Sequence, residues 1–242
     1  MHICLHKITK DRAKKIMLFV TMNSVFPLAL AENFVCNTPV ESYSNRAKVA
    51  TGDLSANVIW QQVNLNKNSI GYGPAEHKHY EITIVDGTVY MVQPDGDNEG
   101  VIVNTKPNPS EGAFMLQIAS PEAWGKFSSL DFADSLTGLS QQIAQKFTDL
   151  GCDDKDVMPF KIKGFANSLT WSLDTKVSKV INSSNEEVEI IGVFSKANHK
   201  KYFLLNKYNL HPHVLLKNTK GAGHLRTIIL KQGAELFLPT KS

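Results

Sequence analysis

The stretch from Glu81 to Gln93 constrains the fold of this chain more than any other. Glu81-Ile-Thr-Ile-Val85 and Thr88-Val-Tyr-Met-Val92 alternate polar and apolar residues around the pair Asp86-Gly87. Alternation is the signature of a strand, in which successive side chains point to opposite faces. Asp-Gly tolerates the positive φ angles of a two-residue hairpin turn. The segment therefore predicts an antiparallel hairpin. Further β-rich segments follow at 101–105, 113–118, 160–165, 187–194, 201–205, 210–216, 224–230 and 235–238.

One helix interrupts them. Leu130, Ala133, Leu136, Leu139, Ile143, Phe147 and Leu150 recur every three or four residues, which predicts an amphipathic helix over 128–150. Ser128 with Asp131 offers a capping-box start and Gly151 a stop. Strands with one substantial helix between them give an α+β fold of mainly antiparallel sheets. At 242 residues, 42% hydrophobic and 20% charged, the chain is neither disordered, collagen-like nor coiled-coil. No repeat or linker divides 32–242, so one unit is the default.

The formal charge of +3 is carried by residues 1–31, where Lys7, Lys10, Arg12, Lys14 and Lys15 face only Asp11. The rest is close to neutral, which argues against a nucleic-acid-binding surface. After those cations come a short apolar run from Ile16 to Leu30 and the small-residue triplet Ala29-Leu30-Ala31. These are the three parts of a secretory signal. The run is too short and too broken for a permanent anchor. The expectation is cleavage after Ala31 and an exported chain, periplasmic or released, with no membrane segment afterwards; the competing reading is an amphipathic helix that stays attached. Cys4 then leaves with the leader, and Cys36 and Cys152 either form the one pairing open to them or remain free thiols.

The chemistry-bearing residues are histidines. His211 and His213 stand two apart in a strand-like segment, so both face the same way. His224 follows across a polar, glycine-containing turn, and a hairpin of 210–216 with 224–230 places it opposite them. Three neutral imidazoles on one sheet face can hold zinc or a similar ion with positions left open. An ordinary surface strand also carries His-x-His, and Pro212 predicts an edge or bulged strand. His77, His79 and Glu81 share a face if the chain is extended there, as a second metal site, as a solvated strand end, or with Glu81 alone reaching the first cluster as an acid/base. There is no Walker loop, no Gly-x-Gly-x-x-Gly and no Gly-x-Ser-x-Gly. Lys217 replaces the glutamate that a cupin requires after His-x-His.

Together these segments resemble the α-acetolactate decarboxylase family. The resemblance is carried by Gly71-Tyr72-Gly73, Glu81, Asp86-Gly87-Thr88-Val89-Tyr90, the 161–164 and 191–194 segments, His211-x-His213 and Gly221-x-Gly223-His224, in the family's order from about residue 55 to 230. It implies two β-rich lobes with a metal between them. It also implies His211, His213 and His224 as ligands of a divalent ion, zinc by expectation, and Glu81 as the catalytic proton-transfer group. The implied substrate is a small molecule, 2-acetolactate or a related hydroxy- or keto-acid, giving acetoin, and a homodimer is compatible with it. Three family features differ: Pro74 replaces a threonine, Ser172 stands where an arginine suited to a carboxylate belongs, with Lys176 nearby, and only Glu235 is available as the C-terminal glutamate. Three readings follow: an exported acetolactate decarboxylase, a diverged metalloprotein on the same fold that binds a small acid or a partner without this reaction, and a metal-free secreted β-rich module.

Overall fold

The computed structural model describes residues 33–96 and 100–241. The leader and the cleavage point after Ala31 lie outside the described residues. In chain order the first half holds β1 (Val40–Tyr43), α1 (Arg46–Thr51), β2 (Val58–Ile59), β3 (Ile70–Pro74), β4 (Glu81–Val85), β5 (Thr88–Pro94), β6 (Val101–Asn104), β7 (Gly112–Ala113), β8 (Leu116–Ala119) and β9 (Ala123–Ser129). The second half holds α2 (Leu136–Asp149), β10 (Met158–Leu173), β11 (Lys179–Phe194), α3 (His199–Tyr202), β12 (Leu210–Leu216), β13 (Ala222–Leu230) and β14 (Glu235–Thr240). They form two β-rich lobes built on a sheet ordered β1-β8-β3-β4-β5-β6 and a sheet ordered β11-β12-β13-β10-β14-β9, with β2 and β7 pairing separately. All the pairings are antiparallel.

The predicted hairpin is β4–β5. Val85 pairs with Thr88, and Asp86 and Gly87 take φ of 49° and 72°, the two positive values of a type I′ turn. Beside it, β3 carries Gly71-Tyr72-Gly73 against β8. A Cβ on Gly73 would lie 2.1 Å from the Met115 carbonyl oxygen, so only glycine lets the chain entering β8 come this close. The motif is thus a packing requirement of the first sheet, and it fixes where Tyr72 points.

In the second sheet β10 and β11 pair along almost their whole length, well beyond the predicted 160–165 and 187–194. β11 also pairs with β12, β12 with β13, and β13 with β10. These pairings close a ring of four strands. Pro212 predicts an edge or bulged strand, but β12 lies between two neighbours. The proline is accommodated because β13 pairing begins only at His213, and because Gly192 faces it from β11.

Two other expectations change. The helix begins at Leu136, not at Ser128: Ser135 is its N-cap, its hydroxyl accepting from Gly138 N–H at 3.2 Å. Residues 123–129 instead pair with β14 as strand β9. Leu130 and Ala133 are buried by the crossing chain, with Leu130 N–H donating to the Ala234 carbonyl, so their helical spacing is coincidental. Segment 201–205 is the end of α3 followed by Phe203 in a left-handed conformation, not a strand. Segment 113–118 divides between β7 and β8.

Leu136, Leu139, Ile143 and Phe147 of α2 enter one core with Met158, Phe160, Ile162 and Phe194. Each such side chain contributes about 1.5–3 kcal/mol when fully buried. A polar tie joins the sheets: the buried Lys161 ammonium lies 2.6 Å from the Asp86 carboxylate at the β4–β5 turn and 3.9 Å from Glu189. No helix among the described residues is long and apolar enough to cross a membrane.

Cys36 and Cys152 form a disulfide across 116 residues of chain, which settles the alternative left open by the sequence. Closing a loop of this size removes entropy from the unfolded ensemble and contributes roughly 2–5 kcal/mol. A Cys36→Ser/Cys152→Ser double variant is expected to lose about that much in guanidinium unfolding with its circular dichroism unchanged. An unshifted midpoint would show that the disulfide is not stabilising.

Candidate metal centre

The site follows from strand register. His213 and His224 are direct Cα partners across β12 and β13, and His211 lies two residues before His213 on the same face. The ring centroids are 4.4 Å apart for His211–His224, 5.3 Å for His211–His213 and 5.6 Å for His213–His224. One nitrogen from each ring lies within 4.8 Å of the others. The structure thus brings together the three imidazoles singled out from the sequence.

The first sheet faces them with a cross-strand row. Thr83 of β4, Tyr72 of β3 and Gln117 of β8 are register partners in turn, so their side chains share a face. Thr83 Oγ1 lies 2.8 Å from His213 Nδ1. Tyr72 stacks on His211 at 4.4 Å, and its hydroxyl donates to the Tyr202 carbonyl. His211 Nδ1 lies 2.9 Å from the Phe203 carbonyl. A carbonyl only accepts, so this nitrogen carries the hydrogen and Nε2 keeps a bare lone pair.

Burial pushes His211 down to about 3, holds His213 well below the usual imidazole range and lowers His224. All three are therefore neutral at neutral pH. His213 Nε2 and His224 Nε2 are buried with no hydrogen-bond partner, an expensive state for polar nitrogens. Neutral, convergent and otherwise unpartnered imidazoles fit a divalent ion of the zinc type, which takes ligands of this kind.

Glu81, 2% exposed, opens β4 beside them. Its Oε2 accepts from the Asp174 N–H at 2.9 Å, and its Oε1 lies 3.6 Å from His213 Nε2. Burial, reinforced by the Asp174 charge, pushes this carboxyl up to about 8. Asp174 Oδ2 lies 3.8 Å from His224 Nδ1, beyond hydrogen-bond range yet close enough to favour a hydrogen on that nitrogen. His224 first, then the Arg226 guanidinium, hold Asp174 below the usual carboxylate range against its partial burial.

Arg226 is a neighbour of the site that the sequence alone did not single out. Ser172 stands where the family resemblance calls for an arginine, but Arg226 Nε donates to Ser172 Oγ at 2.7 Å and Nη2 to Asp174 Oδ1 at 2.7 Å. A guanidinium thus reaches that place from the neighbouring strand. Its signal was available: alternation along a strand puts Arg226 on the face of His224, and although a bulge falls at Arg226 its guanidinium still meets Ser172, the cross-strand partner of His224. Asp174 carries no such signal, because it lies in the turn after β10.

A cavity of about 120 Å³ opens between the sheets, lined by His211, His224, Glu81, Asp174, Lys78 and Gln117 among others. Lys176 and Glu235 are not among its lining residues; Glu235 pairs with Lys126. The shared face expected for His77, His79 and Glu81 does not form. Residues Glu76–Lys78 are a tight helical turn with His77 at φ 53°, and the described residues hold no metal-type cluster that includes His77 or His79.

Glu81 gives this site a pH signature. Between pH 4.5 and about 8 the unfolded chain ionises this carboxyl while the folded chain keeps its proton. The contribution of Glu81 to stability is therefore complete below pH 4.5 and is lost as pH rises through the folded value, by at most about 1.4 kcal/mol per unit. Unfolding midpoints of wild type and Glu81→Gln in chelator are expected to draw apart in the variant's favour from pH 4.5 to 8. Parallel curves across that window would contradict the shift.

No protein-family model matches the sequence, and no curated protein matches it. Solved structures do. The crystal structure of acetolactate decarboxylase from Bacillus subtilis subspecies spizizenii aligns with TM-score 0.62 at 12% identity, covering 84% of this chain and 86% of that one. The enzyme from Bacillus subtilis strain 168 aligns with TM-score 0.61 at 11% identity and the same coverage. A protein of unknown function from Staphylococcus aureus, described as similar to α-acetolactate decarboxylase, gives 0.62 at 11%, also with the same coverage. The chain has the fold of these proteins.

Proposed function

We propose that this protein is an exported, divalent-metal-dependent decarboxylase that converts 2-acetolactate to acetoin. The observation that carries this reading is the set of three neutral, convergent imidazoles, two of them buried with unpartnered Nε2 atoms, beside the buried Glu81 carboxyl in a cavity between the sheets. The acetolactate decarboxylase fold of the chain supports it, although fold alone does not assign chemistry.

His211, His213 and His224 would hold the ion through Nε2, with Nδ1 of His211 and His213 occupied by the Phe203 carbonyl and Thr83 Oγ1. When bound, a divalent ion supplies Lewis-acid stabilisation for negative charge developing on oxygen. The chain supplies the rest. Phe203, Met115 and Pro74 make the cavity wall largely apolar, which strengthens the electrostatics inside. The Arg226 guanidinium beside the cavity and Lys78 on its wall attract the substrate carboxylate. As carbon dioxide leaves, the electron pair of the broken bond passes to the ketone oxygen, and the carbon that lost it needs a proton. Glu81, oriented by the Asp174 N–H, delivers that proton from its carboxyl oxygen.

Export rests on the leader and on the Cys36–Cys152 disulfide, a bond that persists in oxidising compartments. The test is acetoin formation from 2-acetolactate by the zinc-loaded protein. Wild type is expected to produce acetoin, Glu81→Gln to lose at least a hundredfold in kcat with zinc still bound, and His213→Ala to lose both zinc and activity. Zinc bound without acetoin from the folded wild type would replace this reading with the diverged metalloprotein.

A further inference from the structure

The row of side chains that the first sheet turns toward the second has one member without a partner. Ser42 of β1, Gln117 of β8, Tyr72 of β3 and Thr83 of β4 are consecutive register partners. Ser42 Oγ donates to the Lys201 carbonyl, the Tyr72 hydroxyl donates to the Tyr202 carbonyl, and Thr83 Oγ1 meets His213 Nδ1. Three of the four are therefore tied to the opposing lobe. Gln117 is not: it is 2% exposed, lines the cavity with Glu81 and His224, and both Oε1 and Nε2 lack a hydrogen-bond partner.

A buried primary amide offers two donors and an accepting oxygen. Leaving all of them unpaired is costly, and native proteins tolerate such groups chiefly where function uses them. An apolar side chain of similar size would fill the same space at no such cost. Gln117 also sits one register step from Tyr72, which stacks on His211, so its amide faces the same cavity as the candidate ligands.

We propose that Gln117 is a ligand-recognising residue of this cavity, its amide oxygen accepting from a hydroxyl and its amide nitrogen donating to a neighbouring oxygen of one small polar ligand. Within the decarboxylase reading, on which the naming of the ligand rests, that ligand is the 2-hydroxy acid: Oε1 takes the 2-hydroxyl and Nε2 one carboxylate or ketone oxygen. Gln117 then acts as a specificity device, because a buried amide rejects an analogue that lacks the hydroxyl far more strongly than an apolar wall can.

The experiment compares wild type with Gln117→Met, which is close in shape and apolar, and with Gln117→Glu, which keeps the acceptor and removes the donor. Melting of the metal-free, ligand-free proteins is the first readout. Gln117→Met is expected to melt no lower than wild type, and a loss of several degrees would overturn the proposal by showing that the amide has a structural partner. Zinc affinity, measured by chelator competition, is expected to stay within twofold. KM for 2-acetolactate is expected to rise at least tenfold in both variants, with a smaller effect on kcat. Calorimetric binding of 2-hydroxyisobutyrate to the zinc-loaded proteins is expected to weaken at least tenfold, whether or not acetoin is formed. Absence of acetoin from wild type with this loss of binding would remove the decarboxylase reading and keep the role of Gln117. Unchanged KM, or 2-hydroxyisobutyrate bound equally or not at all by wild type and Gln117→Met, would overturn it.

Discussion

Three imidazoles, two of them buried, and a buried carboxyl group side by side in one seam set the terms for the rest of this structure. Desolvation disfavours charge on every one of them, so the seam is held by neutral groups that need hydrogen bonds or a ligand. One partner comes from a strand and two come from the connections: Thr83 of β4 for His213, the Phe203 carbonyl after α3 for His211 and the Asp174 N–H in the turn after β10 for Glu81. An error of one residue in β4 or β12 would turn its site side chains to the other face. Positions that look remote from chemistry thereby become part of it. Gly73, which lets the chain pass close to β3, sets the row to which Tyr72 and Gln117 belong.

Local signals were legible in the sequence where two periods agreed. The Asp86-Gly87 turn, the β12 strand and the opposition of His224 to His213 could all be read from alternation and turn chemistry, because a hairpin is decided by neighbours in the chain. Signals failed where long-range pairing decided the outcome. Leu130 and Ala133 have helical spacing, yet the stretch before them is claimed by β14 as β9. His77 and His79 alternate as a strand would, but the chain turns tightly there. Arg226 was legible in principle through its spacing from His224. Asp174 was not, since only the closing of the β10–β11 hairpin against β4 brings it to Glu81.

The two lobes are coupled by polar contacts as well as by core packing. Lys161 reaches from β10 to the turn that closes β4–β5, and Glu189 sits behind it, within 3.5 Å of Lys163 and 3.1 Å of Lys217. Buried charges are tolerated only when paired in this way. The network anchors the Asp86 end of β4 while the Asp174 N–H holds Glu81 at its other end. Strand β4 is thus tied to the second lobe at both ends, which places the Glu81 carboxyl beside the histidines.

All three candidate ligands lie on a single hairpin, β12–β13, whereas Glu81, Asp174 and Gln117 come from distant parts of the chain. On the proposed function, ion capture is encoded locally and reactivity globally. The two can drift at different rates as sequences diverge. A lineage built on this scaffold can change β4 or β8 and still keep three imidazoles converging from the hairpin, and the same hairpin gives a new activity a ready starting point.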